Sequence, residues 1–154
     1  GTVPGGTYTA DVGVSTSQGE WGEFETCMES LAISYTDGSF GGGGSSGGAC
    51  SEFGSVQLTS LRGGGALVVG SVPGSAASVR LEFDDGEVAE PELSGERRRM
   101  FSLVRTSGAA PLRSVVVSTA DGAPIASGSP GDATTPDALG SEGSSSGFAL
   151  SAPG

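Results

Sequence analysis

The segment Ser78-Val79-Arg80-Leu81-Glu82-Phe83 alternates polar and apolar residues without a fault. Successive side chains on a β-strand point to opposite faces, so this spelling predicts a strand with Val79, Leu81 and Phe83 inward. The same period of two recurs along the chain. Between Thr7 and Ser15, Tyr8, Ala10, Val12 and Val14 share one face. Trp21 to Thr36 alternates again, ending in the series Leu31, Ile33 and Tyr35. That stretch is long for one strand, which predicts a bend or bulge near Glu29-Ser30. Further strands are expected over Phe53 to Leu61 (Val56 and Leu58 inward), Arg98 to Arg105 (Phe101 and Leu103 inward) and Leu112 to Thr119 (Val115 and Val117 inward). A short last strand is expected near Pro124-Ile125-Ala126. Ala66 to Val72 differs from all of these, being continuously apolar, which is the mark of a central strand. No segment shows a helical period. Roughly eight to ten short strands, about ten residues apart with turns between, predict an all-β sandwich or barrel.

The breaks between strands carry turn chemistry. Asp37-Gly38, Pro73-Gly74 and Asp121-Gly122 are turn signals. In Asp84-Asp85-Gly86 the glycine supplies the positive φ of a primed hairpin turn. Glu87 to Leu93 would return as an edge strand, where Pro91 is tolerated. Residues 1–6 read as a linker, 7–126 as the β-sandwich domain and 127–154 as a Ser/Gly/Pro-rich tail, whose composition does not repay ordering entropy. Phe148-Ala149-Leu150 is the tail's one apolar cluster and could dock on a sheet edge.

Composition narrows function by what it lacks. The chain has no His, Lys or Asn, and its 7 cations are all Arg. The usual neutral-pH general base is therefore missing, and so is the commonest zinc and copper ligand. Schiff-base and phosphate-loop lysines are missing too. Net charge is −11, a poor basis for nucleic-acid binding or for contact with anionic membranes. A nucleophilic Ser would lack a base, and no Gly-x-Ser-x-Gly elbow occurs. Paired carboxylates of the glycosidase type remain open, because facing strands can juxtapose any two acids, but no pair is singled out. The expectation is a non-enzyme without a cofactor. Arg in place of Lys, with abundant Gly, Ala, Ser and Val, is the bias of a GC-rich coding genome. No apolar run approaches the roughly 20 residues of a membrane span. The chain does not begin with Met, from which a removed leader or an excised ectodomain is expected.

Cys27 and Cys50 bracket 22 residues, among them the run Gly41-Gly42-Gly43-Gly44-Ser45-Ser46-Gly47-Gly48. Closing such a segment with a disulfide would stabilise the fold by roughly 3 kcal/mol on the chain-entropy model and would place the chain in an oxidising compartment. The rivals are a free reactive pair, a metal site, or two buried thiols. Two Cys without His make a poor zinc site. The glycine run lacks the Gly-Lys-Ser/Thr ending of a phosphate loop and reads as a flexible exposed loop. Asp84, Asp85 and Glu87 read as turn residues rather than a cation site. Arg97-Arg98-Arg99 is the one local charge reversal. It reads as a solvated strand end, with contact to an anionic partner group as the alternative. Trp21, Tyr8 and Tyr35 could line a sugar or peptide groove, though aromatics at such positions are more often core.

A set of spaced motifs carries a resemblance. Cys27 opens it and Gly47-Gly48-Ala49-Cys50 follows. Next come the Gly70-Ser71-Val72-Pro73 turn and the strand Ala77-Ser78-Val79-Arg80-Leu81-Glu82-Phe83-Asp84-Asp85-Gly86. Ser114 through Gly122 closes it with an Asp-Gly turn. Over residues 20–126 the chain resembles an extracytoplasmic domain of actinobacterial membrane-anchored or secreted proteins of unknown function. The resemblance implies a β-sandwich displayed outside the membrane, often behind a single membrane-spanning helix outside this chain, and it carries over no catalytic residues. The expected fold is an immunoglobulin-like antiparallel β-sandwich with one disulfide and a flexible C-terminal tail. The expected role is a non-catalytic extracellular interaction or sensor module that binds a protein partner, or itself, through a sheet edge or loops. The alternative is a structural subunit of a surface assembly, built by strand addition from a terminal segment.

Overall fold

A computed structural model describes residues 1–3, 5–20, 22–38, 40–49, 53–61, 65–95, 98–105, 110, 112–129 and 145–152. Every strand pairing in it is antiparallel, and no helix occurs among the described residues. The strands form three sheets of four.

The N-terminal sheet has the order β1-β2-β3-β4, from Thr2–Val3, Gly6–Gly19, Gly22–Tyr35 and Phe40–Ala49. Its heart is a long hairpin in which β2 and β3 pair without interruption from Gly6 opposite Tyr35 to Gly19 opposite Gly22. The bend expected near Glu29-Ser30 is absent. The register shift lies instead between Ile33 and Ser34, on the side facing β4. The second correction is larger. The glycine run, expected as a flexible loop, is strand β4, laddered to β3 from Thr26 opposite Ala49 to Ser34 opposite Phe40. A pattern of side chains cannot announce a strand that has almost none. Here the open backbone groups of β3 supply the pairing instead.

The other two sheets face each other. The middle sheet runs β12-β5-β6-β9, from Ser145–Ala149, Ser55–Ser60, Ala66–Pro73 and Arg98–Arg105. The outer sheet runs β11-β10-β7-β8, from Pro124–Gly128, Leu112–Ser118, Ser78–Phe83 and Val88–Ala89. Val56, Leu58, Val68, Val72, Phe101 and Leu150 of one side meet Val79, Leu81, Phe83, Val115, Val117 and Ala126 of the other. Two facing antiparallel sheets around one such core are a β-sandwich. The strand seen as Ser78–Phe83 buries Val79, Leu81 and Phe83 as its alternation dictates.

Strand β6 explains the third sheet. Leu67 is fully buried and Val68 is 1% exposed, although neighbours on a strand point opposite ways. Val68 belongs to the sandwich core, while Leu67 packs with Val3, Ile33, Tyr35 and Leu61 beneath the N-terminal sheet. A strand apolar on both faces needs cover on both, and the β2–β3 hairpin supplies the second cover.

Residues 127–129 and 145–152 also belong to the body. Ser127 bridges Ser151, β12 pairs with β5, and Leu150 is buried. Residues 145–149, part of the tail expected to be flexible, are instead a strand of the middle sheet, and Leu150 packs into the sandwich core. The hairpin at Asp84-Asp85-Gly86 forms, but with a different turn from the one expected. Gly86 alone has positive φ (+87°) and no non-Gly residue does, so a primed turn is excluded. The Gly86 amide donates to the Phe83 carbonyl (2.9 Å) and the Phe83 amide to that of Glu87 (3.0 Å). This is a three-residue loop with a glycine bulge.

Candidate functional site: an open sheet edge beside a cleft

The interface between the N-terminal and middle sheets changes character along its length. One end is the apolar cluster around Leu67. At the centre the hydroxyls of Tyr8 and Ser102 meet at 2.6 Å. At the far end Ser71, itself buried, donates to Glu29 Oε1 at 2.6 Å. Arg98 projects from β9 into the same region and is 7% exposed. Burial lowers its pKa, opposed by the charges of Glu29 and Glu25. A guanidinium stays protonated through such a shift, so the cation is held against carboxylates inside the fold.

Strand β9 is the last strand of the middle sheet. Its residues Arg99, Phe101, Leu103 and Arg105 alternate with residues whose backbone groups point outward. The alternation is fixed by Met100, whose amide and carbonyl both bond Ser94 outside the sheet, at 2.8 and 3.0 Å. By the two-residue period, Ser102 and Val104 present their N–H and C=O the same way. Beyond the Ser94 bridge no described strand lies alongside them. Two successive outward residues of the ladder are thus open.

That edge forms one side of a cleft of about 470 Å³ lined by Ala10, Pro91, Glu92, Leu93, Ser94 and residues 100–103. Three elements make it. The β2 strand contributes Ala10. Strand β9 contributes the edge itself. The segment after β8 contributes residues 91–94, touching β9 at Ser94 and peeling away before Glu92 reaches Ser102. The surface of the cleft is mixed: Leu93 and Leu103 are partly buried against the sandwich core, and Glu92 is exposed.

The residues singled out from sequence fall elsewhere. Cys27 is buried on the inward face of β3, opposite Gly48, while Cys50 lies outside the described residues. Arg97 also lies outside them. Arg98 is the buried cation above. Arg99 donates to the carbonyls of Ala76 (2.9 Å) and Leu93 (3.2 Å). These two guanidinium groups address the chain's own atoms. Asp85 accepts the Glu87 amide at 2.9 Å, a turn contact. Tyr8 and Tyr35 are packed with the apolar cluster between sheets, and Trp21 lies outside the described residues. Among the described residues no three Cys, Asp or Glu side chains gather in a way that could hold a metal ion. The open edge was missed from sequence because β9 spells like any strand. Only the partner list of its backbone reveals it.

No family model, curated protein or solved structure matches the chain.

Proposed function

We propose that this chain is a non-catalytic extracytoplasmic interaction module that binds an extended segment of a protein partner along the edge of β9. The observation that carries the reading is the pair of outward positions Ser102 and Val104, whose backbone groups meet no strand among the described residues, with Ser102 lining the cleft. Main-chain pairing supplies affinity in strand addition, and pockets for alternate side chains supply selectivity.

Strand order supports an immunoglobulin-like sandwich. Naming β5, β6, β7, β8, β9, β10 and β11 as A, B, C, C′, E, F and G, the pairings give A-B-E on one sheet and G-F-C-C′ on the other. The constant-type immunoglobulin sheet has a fourth strand, D, beside E. Among the described residues the place of D is held only by the Ser94 bridge. An incoming segment would take that vacant place.

The extracytoplasmic location rests on a Cys27–Cys50 disulfide. Its support is that Cys27, buried on the inward face of β3, is not a free thiol.

The test is panning of a phage-displayed random peptide library on the native chain and on the Val104→Pro variant. Proline removes one outward amide and no bond to β6, and edge strands accept it. Peptides enriched on the native chain and lost on the variant are expected. No enrichment, or equal enrichment on both, would overturn the reading. A second reading, a structural subunit, is favoured by β12, an edge strand supplied by the C-terminal segment. Exchange of β12 between copies would show as dimers or longer species in size-exclusion chromatography, abolished by deleting residues 145–154.

A further inference from the structure

We infer that the segment taken up at the β9 edge is basic as well as extended: an antiparallel strand that alternates an apolar side chain with Arg or Lys. This rests on the edge-binding reading and adds the chemistry of the partner. The direction follows from the existing bridge, because Ser94 meets Met100 antiparallel and an incoming strand continues that ladder past Ser102 and Val104. The alternation follows from the two sides of the edge. Side chains level with Leu103 fall on the sandwich side, beside Leu93 and Leu103, where an apolar group removes surface from water. The charge follows from the surroundings. Asp84, Asp85, Glu90 and Glu92 are all exposed on the segment that approaches and lines the cleft. The nearby cations are engaged already: Arg99 with backbone carbonyls, and Arg105 with Glu87 at 3.2 Å and over the Phe83 ring at 3.6 Å. A chain of net charge −11 repels acidic partners at long range and draws basic ones.

Two capped heptapeptides test it, Thr-Val-Arg-Val-Arg-Val-Thr and the same peptide with Glu in place of Arg, titrated at low salt against the isotope-labelled chain. The basic peptide should shift the Ser102 and Val104 amide resonances and bind about fivefold or more tighter than the acidic one, as expected for a few exposed charge pairs. Glu92→Gln should narrow the difference, and salt should do the same. Equal affinity of the two peptides, both lost in Val104→Pro, would overturn the charge inference and leave edge binding standing. No binding by either, or shifts that persist in Val104→Pro, would overturn both.

Discussion

Gly70 lies opposite Phe101 in the β6–β9 ladder, and the aromatic ring covers the space a side chain would occupy. A Cβ built at Gly70 would fall 2.3 Å from the ring. The ring is buried and fenced by the core, so it has little room to retreat. Gly70→Ala should therefore destabilise the fold by about 1–3 kcal/mol, as overpacking does, read as a lower urea midpoint at unchanged slope. An unchanged midpoint would mean that the ring is free to move. The Glu29 carboxylate is the other residue on which local order depends. It accepts the buried Ser71 hydroxyl and faces the buried Arg98. Glu29→Ala should cost about 2–4 kcal/mol, because it leaves a hydroxyl and a cation short of partners in the interior. A cost under about 0.5 kcal/mol, as for an ordinary surface site, would show that the pair is solvated.

At the level of elements, the C-terminal strand is part of the fold. Leu150→Ala should cost about 2–5 kcal/mol, measurable by thermal or urea melting, whereas a loosely attached tail would leave stability untouched. The Asp121-Gly122 turn makes a pH-dependent contribution. The Thr119 hydroxyl, then the backbone amides of Ala123 and Asp121, hold the Asp121 carboxyl below its ordinary pKa. A depressed folded-state pKa contributes stability above the unfolded value, and that contribution is lost as pH falls through the folded one. Thr119→Val should raise the Asp121 midpoint in a carbon-detected titration, and no change would contradict the assignment. Strands were legible where side chains spell them. β7, β9 and β10 fall within a residue of the alternation, and β6 declared its two-sided burial by being apolar throughout. β4 was illegible because glycine has no side chain to alternate. The cleft was illegible for a related reason. It arises where residues 91–94 leave β9, and that divergence is a property of backbone paths rather than of any residue pattern.

Across the whole molecule, a β-sandwich carries an extra sheet over one face, and among the described residues no strand lies outside β9 beyond the Ser94 bridge. Closure of residues 27–50 by a disulfide would fix the extra sheet. Alkylation without reductant should leave the mass unchanged, and Cys50→Ser should cost roughly 3 kcal/mol on the chain-entropy model. Modification of both thiols without reductant would remove the argument for an oxidising compartment. The vacant edge is the feature on which the functional account turns, and amide hydrogen exchange along β9 addresses it residue by residue. Phe101 and Leu103, bonded to β6, should be protected, with Ser102 and Val104 exchanging far faster between them. Uniform protection from Phe101 through Val104 would mean that the edge is already occupied, leaving no place for a partner's strand.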